Sequence, residues 1–533
     1  MPATTAETTR STRSKTSKVL IDRDAANTPG PSRKRSRPDT QPEPATRSTK
    51  RATKGKSSAP RVVPPPPSKK AKTLPTPFND IPTPPPPSTS PCILFGWGCG
   101  DFGQLGIGPD TKTFYMPKKN LWVEGMVEKD AFGGVGKGLE SVVAGGVHTL
   151  FIDESGAVWS CGVNDDAALG RITGGVPDPS NPGSSLKSEA LEVTPHRLQS
   201  LVDEKFRAVQ IAAGGCVSAA ISTDGQLRVW GSFRQGSGLL GFSSDAKHQF
   251  LPIPLPLFET PSTLSEKLVS VAAGDNHLIL LTSLGTIYTL GVGEEGQLGR
   301  KVVERRKIRG TVPEKVVLGT RRSRRAVAIG AGSNASFAVD EEGNVWGWGM
   351  NISGQIGIGE RDKEVWAPQK VVGLSKEELG GAIVTSIVGG DHHTLFLTSD
   401  GKVFACGRVD DGALGLSPSH PALVPDPDSE DDAGAATRKF LTIPTQLTFP
   451  TPPEQDPIVQ VSAGQRNNLA LSSNGVIYSW GAQSQGELGI GEEDSMELWE
   501  PKVIVRKEGK WAGVGVACGG QHCLALLRKR DAE

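Results

Sequence analysis

The sequence predicts an all-β fold assembled from one structural unit that is repeated along most of the chain. A glycine-rich segment, called the glycine unit here, occurs seven times. In six copies a glycine is followed eight residues later by the glycine of a Leu-Gly or Ile-Gly pair. Each of the last six copies follows a corner of small residues and two alternating apolar runs around a tight turn, as in VAGGVHTLFIDESGAVWS at 143–160. Such a pattern is typical of a β-hairpin.

The spacing of the repeats indicates how the hairpins assemble. A period of roughly 60–70 residues with about four short strands per repeat is typical of propeller blades. We therefore predict a seven-bladed β-propeller over residues 92–528, followed by a short C-terminal tail at 529–533. The glycine units are GWGCGDFGQLG (96–106), SCGVNDDAALG (160–170), WGSFRQGSGLLG (230–241), LGVGEEGQLG (290–299), GWGMNISGQIG (347–357), ACGRVDDGALG (405–415) and SWGAQSQGELG (479–489).

The two ends of the repeat region are incomplete copies that complement each other. The region begins with CILFGWG at 92–98, which has no preceding corner, and ends with ACGGQHCLALL at 517–527, which has no following glycine unit. We therefore expect the N- and C-terminal strands to pair within one blade. This pairing closes the propeller and removes free sheet edges.

The first 91 residues differ in composition from the repeats. Residues 1–90 contain 18 Lys and Arg against 6 Asp and Glu, whereas the rest of the chain contains 41 against 52. Low apolar content predicts a disordered basic tail over 1–91. Its basic clusters predict binding to a nuclear import receptor and to nucleic-acid phosphates, and the alternative is a tail that only aids solubility. The cluster residues are Arg33, Lys34, Arg35, Arg37, Lys69, Lys70 and Lys72.

Several functional classes find no support in the sequence. There is no apolar run of about 18 residues and no secretory signal, so we expect an intracellular protein without a membrane partner. The seven cysteines are scattered without a C-x-x-C pair, which favours reduced buried thiols over a zinc site or disulfides. G-x-S-x-G, H-E-x-x-H and G-x-x-x-x-G-K-[ST] motifs are absent. We predict no catalytic residue, cofactor, metal or small-molecule substrate.

Comparing the repeats separates residues that serve every blade from residues found in one. His148, His277, His393 and His522 share one corner position, and we expect them to bond backbone groups at the corner. His392 has no histidine counterpart in the other blades, which makes it the better contact candidate. Acidic residues in the corners and glycine units are either turn residues or an acidic face for a basic partner.

One glycine unit is longer than the rest, because Gly231 and Gly241 are ten residues apart. The sequence over 92–528 resembles the regulator of chromosome condensation family, the nuclear guanine-nucleotide exchange factors for the small GTPase Ran. Four segments carry this resemblance beyond the general repeat: GDFGQLG (100–106), NDDAALGR (164–171), WGSFRQGSGLLG (230–241) and DNHLILLTSLGTIYTLGVGEEGQLGR (275–300).

The resemblance implies an exchange factor, rather than an enzyme with covalent chemistry, that promotes GDP release from Ran on chromatin in the nucleus. It would support nucleocytoplasmic transport and mitosis. The long loop would be a protruding, glycine-flexible wedge that disrupts the nucleotide site. Its residues are Phe233, Arg234, Gln235, Gly236, Ser237 and Gly238. The implied GTPase contacts are Asp101, Asp275, Asn276, His392, His393 and His522.

The resemblance also implies a chromatin contact. The insertion at 300–325 is the strongly basic patch of an acidic body, and it lies where the family has a loop that binds the acidic surface of the histone dimer. We expect Arg305, Arg306 and Arg309 to make this contact, with DNA phosphates bound elsewhere by the tail. The chain departs from the family at Gly215-Cys216-Val217, where an Asp and a His are usual.

Alternatives from other classes remain at this stage. The long loop could be a tolerated surface insertion, and the basic insertion could be a solvated connector. The protein would then be a propeller scaffold that binds chromatin or another protein without exchange activity. A propeller enzyme with paired carboxylates is disfavoured, because the acidic residues occupy turn positions.

Overall fold

The computed structural model describes residues 77–86, 90–108, 112–255, 266–320, 324–361, 364–428, 432–491 and 496–530. Strands dominate this part of the chain, which confirms the predicted all-β class. The predicted import residues Arg33, Lys34, Arg35, Arg37, Lys69, Lys70 and Lys72 lie outside the described residues.

Thirty strands and a few short helices are distributed along the described residues. The first half contains β1 (Cys92–Gly98), β2 (Phe114–Lys119), α1 (Leu121–Glu128), β3 (Leu139–Ala144), β4 (His148–Asp153), β5 (Val158–Gly162), α2 (Ser188–Glu192), β6 (His196–Arg197), α3 (Gln199–Asp203), β7 (Ala208–Ala213), β8 (Val217–Ser222), β9 (Leu227–Gly231), β10 (Phe233–Gln235), β11 (Gly238–Leu240), β12 (Gln249–Ile253), β13 (Leu268–Ala273), β14 (His277–Thr282) and β15 (Ile287–Gly291).

The second half continues with the same pattern of short strands. It contains a 3₁₀ helix (Glu304–Thr311), β16 (Glu314–Val316), β17 (Ala326–Ala331), β18 (Ala335–Asp340), β19 (Val345–Met350), β20 (Glu364–Lys370), β21 (Val384–Gly389), β22 (His393–Thr398), β23 (Val403–Arg408), 3₁₀ turns at Asp410–Gly412 and Pro421–Leu423, β24 (Phe440–Gln446), β25 (Ile458–Ala463), β26 (Asn467–Ser472), β27 (Ile477–Ala482), β28 (Glu497–Val505), β29 (Trp511–Cys518) and β30 (His522–Lys529).

Across the described residues, these strands form five four-stranded sheets, one eight-stranded sheet and one two-stranded hairpin. The eight-stranded sheet consists of two four-stranded groups joined by a single parallel bridge between Ala331 and Val388. We number the four-stranded groups as units. Unit 1 is β3–β6, unit 2 is β7–β9 with β12, unit 3 is β13–β16, unit 4 is β17–β20, unit 5 is β21–β24, unit 6 is β25–β28, and unit 7 is β29 and β30 with β1 and β2.

Unit 7 combines strands from the two ends of the repeat region. β1 pairs antiparallel with β30 without a register shift, from Cys92 opposite Arg528 to Gly98 opposite His522. Neighbouring units contact each other through their first strands, including β29 with β3. A backbone hydrogen bond from Gly520 N to Gly145 O, at 3.1 Å, also links unit 7 to unit 1.

Burial changes regularly across each unit. Every residue of the second strands β4, β8 and β14 is buried, whereas the fourth strands β2 and β20 are largely half-buried or exposed. The apolar residues of the inner strands therefore face neighbouring units, which removes their surface from water. This packing positions the loops at both ends of each unit.

The aromatic and cysteine residues near the ends of the third strands join neighbouring units. In four units a buried Trp Nε1–H donates to a backbone carbonyl in the glycine unit of the preceding unit: Trp97 to Glu487 (2.8 Å), Trp230 to Ala168 (2.8 Å), Trp348 to Gln297 (3.0 Å) and Trp480 to Ala413 (3.2 Å). Cys161 and Cys406 occupy the same position and face the carbonyls of Gln104 and Gln355. Burial raises the pKa of the Cys161 thiol to about 12.

Part of the predicted tail is ordered, which corrects its expected boundary at residue 91. Backbone N–H groups of Phe78 and Asn79 donate to Ser283 O, at 2.6 and 2.9 Å. The Asn79 side chain donates to Thr282 O at 3.1 Å and to Ala326 O at 2.9 Å. We call residues 77–86 the strap. These bonds satisfy carbonyls beside the hairpin turn of unit 3, so the strap is held by specific hydrogen bonds.

Candidate functional site

The corners and the glycine units lie at the same ends of the units. In each unit the first strand leads into a corner, the second strand runs back, and the third strand leads into a glycine unit, as for β3, β4 and β5. We call this end the loop face. The opposite end, which carries hairpin turns such as 283–285, is the turn face. Both the long loop and the predicted contacts therefore fall on the loop face.

The long loop of unit 2 forms a β-hairpin. β10 pairs with β11 through Phe233 opposite Leu240, Arg234 opposite Leu239 and Gln235 opposite Gly238. Gly238 has a φ of +119°, a conformation that L side chains rarely adopt. We call residues 233–240 the wedge hairpin. It extends two residues beyond the predicted end at residue 238.

The base of the wedge hairpin belongs to the apolar core. Phe233 is fully buried, and its ring lies 5.1 Å from that of Phe242 in an edge-to-face arrangement. Leu240 is buried in the same cluster. The expectation that Phe233 touches the GTPase is therefore corrected: this side chain anchors the hairpin, and the exposed tip begins at Arg234.

Side chains from three other segments brace the hairpin. Arg234 Nε donates to Asp166 Oδ2 at 2.7 Å, and a second ion-pair contact runs from Nη2 to the same oxygen. The backbone N–H of Arg234 donates to Asn276 Oδ1 at 2.6 Å. The N–H of Gly236 donates to Glu294 Oε2 at 3.2 Å. The hairpin is thus held between units 1 and 3.

Asp166 holds Cys216 as well as Arg234. Cys216 Sγ lies 3.3 Å from Asp166 Oδ2, and burial together with this carboxylate raises the pKa of the thiol to about 12. The thiol therefore stays protonated and donates to Asp166. Cys216 is half-buried, whereas the other six cysteines are buried, and all seven are free thiols. The departure from the family pattern at 215–217 thus places a thiol donor beside the base of the hairpin.

The predicted corner contacts separate into surface and interior positions. Asp101 is exposed, and Asp275, Asn276 and His392 are half-buried on the loop face. Phe102, which the sequence analysis did not single out, exposes 52% of its surface beside Asp101. Its exposure could not be inferred from the repeat, because that position is occupied by residues of several types.

His393 and His522 are buried, which corrects their assignment as GTPase contacts. Nε2 of His393 lies 2.7 Å from Asn468 Oδ1, and Nε2 of His522 lies 3.0 Å from Thr149 Oγ1. Burial lowers the pKa of His522 to about 3, and it also lowers that of His393. These neutral imidazoles join their unit to the next one. The bonds reach side chains of the neighbouring unit, not the backbone groups that we expected.

Two carboxyl groups converge at the centre of the loop face. Ser333 Oγ donates to Asp391 Oδ1 at 2.9 Å, and Asp275 lies beside this pair. Burial, and then the charge of Asp391, raise the pKa of Asp275 to about 6. A cavity of about 250 Å³ opens here, with Arg234, Asp275 and Asn276 in its lining. The wedge hairpin and the carboxyl groups therefore border the same depression.

The basic insertion lies next to the wedge hairpin. Arg305, Arg306 and Arg309 are exposed on the 3₁₀ segment Glu304–Thr311, whose helical geometry is interrupted at Arg306. Lys307, in the same helix, donates a hydrogen bond from Nζ to Ser237 Oγ at the tip of the hairpin. We call 304–311 the basic helix. Its exposed guanidinium groups can attract an anionic surface.

Two further arginines of the insertion, Arg324 and Arg325, are engaged within the chain, whereas Arg321 and Arg322 lie outside the described residues. Arg324 Nη1 lies 3.0 Å from Asp340 Oδ2. Arg325 pairs with Glu341, and its guanidinium lies 3.8 Å from the centre of the Phe78 ring. These two arginines hold the strap and the turn face instead of extending the basic helix.

The described part of the chain contains no group of three or more His, Cys, Asp or Glu side chains that could hold a metal ion. Among its helices, none is long and apolar enough to cross a membrane.

Comparison with known proteins identifies the family. Residues 93–525 match the family model described as RCC1-like domain. The chain is 31% identical to the regulator of chromosome condensation of Xenopus laevis, over 81% of this chain and 89% of the relative. It is 30% identical to the guanine nucleotide exchange factor SRM1 of Saccharomyces cerevisiae, over 84% of this chain and 90% of the relative.

A solved structure agrees with the sequence comparison. The crystal structure of Prp20p from Saccharomyces cerevisiae, described with its binding properties to Gsp1p and histones, superposes with a TM-score of 0.70 at 29% identity. The match covers 84% of this chain and 93% of Prp20p. The chain therefore belongs to the family of proteins with an RCC1-like domain, as the resemblance in its glycine units predicts.

Proposed function

We propose that this protein is a guanine-nucleotide exchange factor for a small GTPase of the Ran type. One observation carries the proposal: a braced hairpin stands on the loop face beside exposed and half-buried acidic groups. A tolerated insertion would not require three hydrogen-bonding partners from two other units. The exchange-factor name of SRM1 and the Gsp1p binding of Prp20p support the same activity.

The proposed mechanism is displacement by a prepositioned hairpin. A GTPase can hold its nucleotide with a Kd near 1 pM, about −16 kcal/mol, so exchange requires a complex in which this grip is weakened. By linkage, the exchange factor weakens nucleotide binding by the factor by which nucleotide weakens its own binding. The wedge hairpin would occupy the space of the GTPase segments that hold phosphate and magnesium. No covalent step is needed.

The proposed GTPase contacts are the exposed and half-buried groups of the loop face. From the wedge hairpin they are the tip residues Arg234, Gln235, Gly236, Ser237 and Gly238. From the loops they are Asp101, Phe102, Asp275, Asn276 and His392. The carboxylates favour a basic partner surface, and Phe102 offers an apolar anchor of the kind enriched at interface hot spots.

We also propose that the seven units close into a seven-bladed β-propeller. The register between β1 and β30, the contact between β29 and β3, and the Gly520–Gly145 bond support closure between units 7 and 1. In this arrangement β1 lies inside a four-stranded sheet, so neither end of the repeat region leaves an incomplete unit. A chain lacking residues 92–98 should then lose its cooperative unfolding transition in urea.

Chromatin association in the nucleus is the proposed setting of exchange. The exposed Arg305, Arg306 and Arg309 would bind the acidic surface of the histone dimer, and the basic residues of the tail would bind DNA phosphates and a nuclear import receptor. The histone binding described for Prp20p supports the first contact. The contacts between the tail and DNA phosphates would weaken steeply with increasing salt.

The decisive experiment measures release of labelled GDP from purified Ran by catalytic amounts of the full chain. A variant should replace Arg234–Leu239 by a four-residue Gly-Ser linker, keeping Phe233 and Leu240 in the core. We expect rapid release with the intact chain and strongly slowed release with the variant, at equal thermal stability. If the intact chain has no effect, the protein is a binding scaffold. If the variant is fully active, the wedge mechanism is wrong.

A further inference from the structure

We propose that Asp166, in the glycine unit of unit 1, is a positioning residue that holds the wedge hairpin in its working orientation before the GTPase arrives. The role in exchange rests on the proposed function. The role in holding the hairpin does not. Asp166 belongs to a different unit from the hairpin, so it acts through Arg234 and not by touching the partner.

The contact combines a buried acceptor with an exposed donor. The side chain of Asp166 is 8% exposed, whereas that of Arg234 is 63% exposed. Hydrogen bonds in which both groups are charged are about twice as strong as neutral ones. Because the carboxylate is fixed in the interior, it determines where the guanidinium and the strand β10 can lie.

Asp166 also holds the chain that leads into the hairpin. Ser232 Oγ donates to the backbone carbonyl of Asp166 at 3.1 Å. Cys216 Sγ, 3.3 Å from Oδ2, satisfies the carboxylate from the side of unit 2. His248 Nδ1 lies 3.9 Å from Oδ1, on the segment that follows the hairpin. Groups before, within and after the hairpin thus converge on one residue.

The other braces are weaker positional constraints. Glu294 is exposed, so its bond to Gly236 competes with water. Asn276 is neutral and half-buried. Asp166 is the partner that combines charge with burial, which makes it the one whose loss should release the hairpin.

The neighbouring residue Asp165 provides a matched control. Asp165 is exposed, whereas Asp166 is buried, although the two carboxylates are adjacent in the chain. Asp165→Asn and Asp166→Asn change the net charge equally. A difference between them therefore reports the contact with Arg234 and not the charge of the loop face.

The test compares hydrogen–deuterium exchange and GDP release for the full chain, Asp165→Asn and Asp166→Asn. We expect amide exchange at 233–240 to rise at least tenfold in Asp166→Asn alone, with protection of β8 and β14 unchanged. The kcat for GDP release from Ran should fall about 10–100-fold, because displacement of a working group by about 1 Å has effects of this size. Arg234→Gln removes the same ion pair from its exposed side and should raise amide exchange at 233–240 equally. This second variant keeps the test valid if Asp166→Asn fails to fold.

Each outcome decides a separate part of the proposal. Unchanged amide exchange at 233–240 in both Asp166→Asn and Arg234→Gln would overturn the holding role. A loosened hairpin with an unchanged kcat would overturn the role in exchange. If the unmodified chain releases no GDP, the proposed function fails and the exchange role with it, while the amide measurements still decide whether Asp166 holds the hairpin.

Discussion

Replacing Asp275 by asparagine should stabilise the protein at neutral pH and leave its stability unchanged in acid. The pKa of Asp275 rises from its ordinary value of 3.8 to about 6 through burial and through the charge of Asp391. An acid whose pKa is higher in the folded state than in the unfolded state destabilises the fold when it ionises. This penalty is absent below pH 3.8, grows through pH 6 and is complete above it.

The size of the effect follows from the shift. One pKa unit corresponds to about 1.4 kcal/mol, so a rise of about two units corresponds to about 3 kcal/mol. Asp275 is half-buried at an open cavity, where water and salt screen its charge. We therefore expect Asp275→Asn to raise the free energy of unfolding by about 1–2 kcal/mol at pH 7.5, as measured by urea titration in low salt.

The control is Asp101→Asn, which removes an exposed carboxylate from the same face and should change stability by less than about 0.5 kcal/mol. Equal or lower stability of Asp275→Asn at pH 7.5 would refute the reasoning, and so would an equal gain at pH 4. In the GDP-release assay the same variant should raise the KM for Ran about tenfold, because a hydrogen bond to a charged group contributes about 1.5–3 kcal/mol. A carboxylate that is retained although its ionisation destabilises the fold is typical of a binding surface.

Three further predictions concern the strap, one backbone position and the basic helix. Asn79→Ala removes two side-chain hydrogen bonds that attach the strap to units 3 and 4, and two such bonds contribute about 1–2 kcal/mol. The rate of protease cleavage between residues 77 and 91 should therefore rise about tenfold. An unchanged rate would show that these bonds do not hold the strap. Ala167 has a φ of +66° where five other glycine units carry glycine. Ala167→Gly should therefore raise the free energy of unfolding in a urea titration by about 0.5–1 kcal/mol, which is the cost of the left-handed conformation less the added entropy of the unfolded glycine. Replacing Arg305, Arg306 and Arg309 by alanine should weaken nucleosome binding at low salt and make its salt dependence shallower, because three exposed cations no longer face the acidic histone surface. An unchanged affinity and salt dependence would place the contact elsewhere.

The repeated hairpins could be predicted from the sequence because their signals are local. Alternating apolar residues around a tight Gly turn predict a pair of strands from about 15 consecutive residues, as in β14 and β15. This local pattern does not predict how the pair packs against the next unit. Comparison of the glycine units also located the wedge hairpin, since an insertion of two residues is visible without any structure. The fold class and the position of the hairpin could therefore be predicted from the sequence.

Contacts between units could not be predicted in the same way. Asp166 and Arg234 are 68 residues apart, and Asn79 and Ala326 are 247 apart, so no local pattern relates them. The burial of Phe233 depends on how the apolar base of the hairpin meets its own unit. Sequence comparison separates shared from unique positions. It does not show whether a unique side chain faces the partner or the core.

The strap and the wedge hairpin lie at opposite ends of the units. The strap is fixed on the turn face at Ser283, whereas the wedge hairpin stands on the loop face, and strands of five or six residues span about 17–20 Å between them. The basic helix is different, because Lys307 contacts the tip of the wedge hairpin at Ser237. Under the proposed function, an anionic surface that binds the basic helix would also lie beside the wedge hairpin, so we expect chromatin binding and exchange to be coupled through the basic helix.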